Sequence, residues 1–528
     1  MSDWWRGSVT YQIYPRSFQD SNGDGIGDLA GITSRLGYVA ELGVDAIWLS
    51  PIFTSPMADM GYDVSNYTDI DPVFGTLADF DALIARAHDL GLKVIVDQVI
   101  SHSSDRHPAF QESRRDRTNP KADWYVWADP KVDGSPPNNW LAIFGGSAWQ
   151  WDPRRRQYYF HNFLASQPDF NFHNADVQNW HLDNMRFWLE RGVDGFRLDT
   201  VNYYFHDVRL PDDPADIRKD KPADVNPYEM QYHLFSKNQP ENLVFLQRMR
   251  ALLDEYDARA MVGEVGDSNR AIELMGQYTT DNRLHMAYSF EMLGKKYSAA
   301  HFRSKIEEFF ARAPGGWPCW AFSNHDVVRH VSRWAPHSAA PEALAKQACA
   351  LLLSFEGSIC LYQGEELGQT ETELEFHELT DPQGIAFWPE VRSRDGCRTP
   401  FVWDAKAPHG GFSDYQPWLP VKAEQARNAV NVQERDGASV LAFYRRILAL
   451  RRTVPQLLSG KTTFIDCAEP ILAFKRGDVL CAFNLSATPQ RVALEASGEV
   501  LVSESAEQTG DGLSFRPNGF AWIKQDSL

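Results

Sequence analysis

Gly195-Phe196-Arg197-Leu198-Asp199-Thr200 is a short apolar run that ends on an acid. Two later stretches have the same form: Ala260-Met261-Val262-Gly263-Glu264-Val265 and Ala321-Phe322-Ser323-Asn324-His325-Asp326. Each is brief, apolar and bounded by turn residues, the pattern of a strand buried in a parallel sheet. A carboxylate at the end of a buried strand is costly to desolvate, so three of them predict a return in chemistry. Paired carboxylates are the working groups of glycoside hydrolysis, where one attacks or stabilises and another protonates the leaving oxygen. Taken singly the signals are weak. An isolated Arg-x-Asp on a strand is more often a buried ion pair, and Asn-His-Asp alone reads as a turn or helix cap.

Working outward, eight such runs stand at 9–14, 46–50, 94–99, 195–199, 260–265, 285–290, 319–323 and 358–362. Amphipathic helical stretches lie between them, for example at 79–90, 180–191, 243–256 and 342–354. Eight strands alternating with helices predict the α/β class and favour a closed (β/α)8 TIM barrel over an open sheet. No Gly-x-Gly-x-x-Gly follows the first strand, which leaves a dinucleotide fold without support. The barrel is expected over 1–100 and 167–456. Residues 101–166, rich in Pro, Trp, Asp and Arg, predict an inserted domain B after the third strand. The polar, proline-rich stretch 209–242 predicts a long loop after the fourth. On a barrel both excursions project from the face that carries chemistry. From 457 to 528 short alternating strands separated by Gly and Pro predict a C-terminal antiparallel β domain.

The chain has 528 residues and is 43% hydrophobic, enough for a large core and for more than one domain. With 71 acidic against 52 basic residues the formal net charge is -19. Such a surface repels phosphate backbones and anionic headgroups, so neither nucleic acid nor membrane is an expected partner. Aromatic residues reach 13%, with 17 Trp, a mild sign of a carbohydrate ligand because flat apolar faces suit sugar rings. The six cysteines show no CxxC spacing, and reduced, buried thiols in a cytoplasm are expected. The N-terminus shows no signal-peptide pattern, and no run of about 18 apolar residues marks a membrane span.

Several strings occur together and in order: Tyr14 to Leu29 (YPRSFQDSNGDGIGDL), Gly61-Tyr62-Asp63, Asp97 to His102, Gln167 to Asn171 (QPDFN), Gly195 to Asp199, Gly263-Glu264-Val265, Asn324-His325-Asp326 and Tyr362 to Gly368 (YQGEELG). Through them the chain resembles family 13 of the glycoside hydrolases, the α-amylase superfamily, and within it the α-glucosidase and oligo-1,6-glucosidase group. The resemblance runs essentially end to end. It implies Asp199 as nucleophile, Glu264 as general acid/base and Asp326 as transition-state stabiliser. Arg197, two residues before Asp199, points to the same face of its strand and is expected to hold Asp199 ionised. Glu264 has no adjacent base in sequence, consistent with a carboxyl kept protonated by a drier environment.

The resemblance also implies that Asp59, Tyr62, His102 and Arg398 hold the terminal glucose, with Phe163 as an apolar wall and His325 beside the stabiliser. Ser101 stands where many relatives have Asn, which puts the hydrogen bonds around His102 in question. Asp20, Asn22, Asp24 and Asp28 place oxygen donors at alternate positions around turn glycines, like the start of an EF-hand loop. It is not an EF-hand, because Gly31 stands where the bidentate Glu is due. In the family this loop holds a structural Ca2+ (or Mg2+) through those four side chains and the Ile26 carbonyl; no organic cofactor is implied.

Thr200 follows the nucleophile, where Thr or Ala accompanies α-1,4 specificity in this group and Val accompanies α-1,6. The resemblance therefore implies an exo-acting, retaining α-glucosidase on short substrates, with maltose-type bonds, and sucrose as a further candidate, cleaved faster than isomaltose. Transglucosylation to small acceptors is the near alternative and sucrose isomerisation a more distant one. A different class is a non-enzymatic partner protein of the kind formed by amino-acid-transporter heavy chains. That reading requires a membrane span and eroded carboxylates. The preferred sugar, the metal and the oligomeric state are left open by the sequence.

Overall fold

The structure, a computed structural model, describes residues 3–218 and 225–525. Positions 219–224 of the loop expected at 209–242 lie outside the described residues, as do the chain's first two and last three positions.

Eight strands form the centre: β1 (Val9–Ile13), β2 (Ala46–Leu49), β3 (Lys93–Gln98), β4 (Gly195–Leu198), β5 (Ala260–Val265), β6 (Met286–Ser289), β7 (Cys319–Ala321) and β8 (Ser358–Tyr362). They are parallel and pair in the order 6-5-4-3-2-1-8-7. A parallel bridge between Ala287 and Pro318 joins β6 to β7 and closes the ring. All eight expected strands are present.

A helix follows each strand: α1 (Leu29–Leu42), α2 (Leu77–Asp89), α3 (Ala175–Glu190), α4 (Glu241–Leu253), α5 (Ala271–Tyr278), α6 (Ala299–Arg312), α7 (Pro341–Ser354) and α8 (Val440–Thr453). The four expected from apolar periodicity all start one to five residues earlier, and at two of them a side-chain cap sets the start. Thr76 and Asp79 make a capping box at α2, and Asn174 caps α3 by accepting from Asp176 N.

Strand alternation sorts side chains into two layers. Ala46 and Trp48 of β2, Ile95 of β3 and Ala260 and Val262 of β5 pack inside the ring. Ile47, Leu49, Val94, Val96, Phe196, Leu198 and Met261 face outward into the core shared with the helices. The inward row of β3, β4 and β5 continues as Asp97, Arg197 and Glu264, so the period that buries the apolar residues also aims the charged ones into the barrel. At Gly195 an added Cβ would stand 2.2 Å from the Ala260 carbonyl oxygen, so β4 and β5 approach there only because the residue is glycine.

Between β3 and α3 come a six-residue helix (Pro108–Ser113), whose Phe110 packs on Tyr125, Trp127 and Tyr159, and a three-stranded antiparallel sheet next to the buried cluster of Trp140, Trp149 and Phe160. Beyond α8, the antiparallel strands β9 (Thr462–Ile465), β10 (Ile471–Arg476), β11 (Val479–Asn484), β12 (Gln490–Ala493), β13 (Glu499–Thr509) and β14 (Gly512–Lys524) form a separate sheet. One face of this sheet, with Phe474, Phe483, Phe520 and Trp522, belongs to the same core as α7 and α8. Gln347 of α7 donates to Asn484 O (2.7 Å), and Arg476 donates to the carbonyls of Ser354 (2.7 Å) and Leu457 (3.1 Å). Among the described residues no helix is long and apolar enough to cross a membrane. All six cysteines are unpaired, and five are buried.

Candidate active site

Strand register builds the floor of the site. Asp97 of β3 lies opposite Arg197 of β4, and Glu264 of β5 lies opposite Tyr288 of β6. The fully buried Arg197 guanidinium contacts Asp97 Oδ1 (2.9 Å), Asp199 Oδ1 (2.7 Å) and Glu264 Oε1 (2.5 Å). Tyr288 O–H donates to the same Glu264 oxygen at 2.8 Å. Burial works against the charge on Arg197, but Asp97 and Glu264 more than offset it and hold its pKa well above the usual value.

Arg197 contacts Asp199 as expected, but it is shared with Asp97 and Glu264, so it does not hold Asp199 fully ionised, and Glu264 has a basic neighbour from across the sheet. One cation is shared by three buried carboxylates, too little to keep all of them ionised. Burial pushes both Asp199 and Glu264 up to about 7, with Arg197 pulling each back only in part. The two titrate as a pair, and near neutral pH the pair retains a proton. Asp326 behaves oppositely. Burial opposes its ionisation too, yet His325, Arg394 and Arg398 outweigh it and keep this carboxyl below the ordinary range. His325 is itself pushed down to about 3 by burial and is neutral at working pH, so the two arginines carry that effect.

Asp199, Glu264 and Asp326 open together on a cavity of about 400 Å³. Asp59, Tyr62, His102, Phe163 and Thr200 also line it. Eight of the eleven residues proposed for catalysis and sugar binding therefore share one wall. The other three, Arg197, His325 and Arg398, lie behind it. Tyr62 stacks on His325 (5.3 Å between centroids) and reaches its Nε2 at 2.5 Å through the phenol oxygen. His102 has its Nε2 2.9 Å from the Tyr62 carbonyl and its ring 5.0 Å from Phe163. Burial lowers the His102 pKa to about 4, so this ring too is neutral.

Arg398 does not reach the cavity. It is fully buried, donating to the His325 carbonyl (2.7 Å) and to Asp326 Oδ1 (2.8 Å). The arginine that lines the cavity is Arg394, which sequence reasoning missed. It donates to Asp59 Oδ1 (3.0 Å), Asp326 Oδ1 (3.2 Å) and Asp381 Oδ1 (2.6 Å) and so ties three acids together beside the cavity. Burial raises Asp59 to about 6 despite this partner. Gln167 was missed as a site residue as well; its amide donates to Asp59 Oδ2 at 3.2 Å. Tyr203, Tyr228, Lys237 and residues 266–268 also line the cavity.

The loop from Asp20 to Asp28 contributes nothing to this cavity. Asp20 Oδ1 accepts from the N–H groups of Asn22 (3.0 Å) and Gly23 (2.7 Å), Asn22 Oδ1 from Asp24 N (2.9 Å), and Asp24 Oδ1 from Ile26 N (2.8 Å). These nested turns curl the loop, and its donor set is all oxygen, the chemistry that Ca2+ and Mg2+ take. Among the described residues no three His, Cys, Asp or Glu side chains gather as a metal cluster. Asp28 instead caps α1, accepting from Gly31 N at 2.6 Å.

A closed parallel barrel with three carboxylates converging on one pocket at the strand ends defines a glycoside hydrolase of the barrel type. The family profile described as alpha amylase, catalytic domain, matches residues 12–460, and the chain belongs to that family. It is 59% identical over 494 residues to the probable alpha-glucosidase of Rhizobium meliloti (strain 1021), covering 92% of this chain and 90% of that one. The oligo-1,6-glucosidase of Heyndrickxia coagulans is 34% identical over 558 residues, covering 98% of each. Among solved structures, the alpha-glucosyl transfer enzyme XgtA superposes with a TM-score of 0.95 at 54% identity, over 99% of this chain and 100% of that one.

Proposed function

We propose that this chain is an exo-acting, retaining α-glucosidase that releases terminal glucose from short α-glucosides. The observation that carries this is the convergence of Asp199, Glu264 and Asp326 on a cavity that the Asp59–Arg394 ion pair also lines. In this reading the Asp59–Arg394 pair stops the terminal sugar, and a longer chain does not extend past it.

In the first step Asp199 attacks the anomeric carbon, the bond from that carbon to the glycosidic oxygen breaks, and Glu264 gives its proton to the departing oxygen. A water then attacks the same carbon. It passes a proton to Glu264, and the ester bond to Asp199 breaks, so configuration is retained. The proton shared by the Asp199–Glu264 pair near pH 7 supplies the starting state, one acid and one base. Asp326, kept ionised by Arg394 and Arg398, faces the positive charge that develops on the ring. Asp59, Tyr62, His102, Phe163 and Arg394 are assigned to glucose recognition.

Thr200 supports a preference for maltose-type α-1,4 bonds, with sucrose as a candidate, over isomaltose. Asp199→Asn tests the core of the proposal. The variant is expected to fold and to lose more than about 10³-fold in kcat/KM on maltose; unchanged activity sinks the assignment. NMR of the first-formed sugar should show the α anomer.

Glucosyl transfer is a second reading, favoured by similarity to a structure named for that activity. Free glucose measured against transfer products at high substrate concentration separates the two. We also propose Ca2+ or Mg2+ in the loop from Asp20 to Asp28, held by Asp20, Asn22, Asp24, the Ile26 carbonyl and Asp28, where it would stiffen the entry to α1. A cytoplasmic location is proposed with five buried, unpaired thiols as its support.

A further inference from the structure

We propose that Ser101 is a positioning residue that acts on the nucleophile through Thr200, by giving the Thr200 hydroxyl proton a second place to go. The inference rests on Asp199 being the attacking carboxylate.

The direction of each hydrogen bond follows from chemistry. The Tyr62 carbonyl can only accept. The Gln167 amide, 3.2 Å from His102 Nε2, has Asp59 Oδ2 and the Tyr62 carbonyl for its own two protons. The proton of neutral His102 therefore sits on Nε2, 2.9 Å from Tyr62 O. Nδ1 of that ring is then bare and accepts from the Ser101 hydroxyl at 2.8 Å. Ser101 has one proton and it is committed, so its oxygen offers only lone pairs to Thr200 Oγ1 at 3.1 Å. The single proton of Thr200 therefore has two acceptors, Ser101 Oγ and Asp199 Oδ2 at 3.2 Å.

The two oxygens of Asp199 are held differently. Oδ1 is tied to Arg197 Nη1 at 2.7 Å, while Oδ2 receives the Thr200 hydroxyl. Oδ2 is thus the oxygen available for attack, and a hydrogen bond from Thr200 draws off the electron density that attack requires. When the Oδ2–carbon bond forms, that oxygen becomes an ester oxygen and a poorer acceptor. Thr200 then turns its proton to Ser101, which spares a buried hydroxyl from being left unsatisfied. When water later breaks the ester, the charge returns to Oδ2 and the hydroxyl swings back. Ser101 is fully buried and does not line the cavity, so it works on Asp199 without touching the sugar.

A double-mutant cycle tests this. Ser101→Ala is expected to lower kcat on maltose about tenfold with KM within about twofold, since the effect is on the bond-making steps. In a Thr200→Val background, where the hydroxyl is already gone, adding Ser101→Ala should change kcat by less than about twofold. Ser101→Thr, which keeps a hydroxyl, should recover most of the rate. An equal loss in both backgrounds, or a loss confined to KM, would show that Ser101 acts by seating His102 and would overturn the proposal. Failure of the Asp199→Asn test, by contrast, would remove the mechanism on which the inference stands.

Discussion

The ionised forms of Asp199 and Glu264 are unfavourable for the folded state, and that predicts how stability responds to removing Asp199. Burial raises Asp199 from 3.8 to about 7. Between those values the folded protein keeps a proton that the unfolded chain has lost. The stability linked to that proton is complete below about pH 4 and is lost as pH rises through about 7. Asp199→Asn has no such group to ionise. It should therefore melt a few degrees above the parent at pH 8, roughly the shift that a kcal/mol or two produces, with the gap closing towards pH 4. Calorimetry across pH reads this directly. Arg394 yields the opposite kind of variant. Arg394→Lys keeps the charge but loses the fork that spans Asp59, Asp326 and Asp381, and kcat/KM should fall about 100-fold. That Arg394 and not Arg398 faces the sugar pocket was not legible in the sequence. The two stand four residues apart in Arg-Asp-Gly-Cys-Arg, and only the placement of the short helix Asp395–Arg398 decides which of them looks into the cavity. The sharing of Arg197 was equally hidden, because it depends on the lateral register of three strands.

At the scale of elements the strands were readable because each is buried along nearly its whole length and flanked by turn residues. The inward or outward sense of Asp97, Arg197 and Glu264 then follows from strand alternation. The first loop is where an element and a candidate ion meet. Asp28 caps α1 through Gly31 N, and it also accepts from Ser21 N and Oγ at 2.9 and 2.8 Å. Asp28→Ala should cost about 1 kcal/mol from the cap alone. If the loop also binds Ca2+, a chelator should lower the Tm of the parent and leave that of Asp28→Ala almost unchanged. Equal chelator effects on both would remove the ion from this loop. Initial rates per folded molecule should not move, since the loop lies outside the cavity.

Taken whole, the molecule is less modular than its domain pattern suggests. The C-terminal sheet shares its inner face with α7 and α8, and Arg476 is fully buried against carbonyls of the barrel side. A chain ending near residue 460 would uncover Phe355 and Phe443, whose rings pack on Phe474 and Phe520 of that sheet. Such a fragment should be recovered mainly as aggregate on gel filtration, and a soluble, active product would refute the shared core. The barrel also explains how acids at 199, 264 and 326 meet. Parallel strands all finish at one rim, so residues far apart along the chain arrive side by side.

Thr200, whose hydroxyl stands between Ser101 and the nucleophile, has a backbone φ of +38°, a conformation that β-branched residues rarely adopt. Holding a threonine there costs roughly 1–3 kcal/mol. This constrains the routes open to descendants of this sequence. Valine, the residue that accompanies α-1,6 cleavage among similar enzymes, would inherit the same penalty without the hydroxyl that partly offsets it. On the α-1,4 preference proposed above, the exchange to valine would weaken the fold in the same step that changed the sugar. A stabilising change elsewhere would make that exchange easier to tolerate.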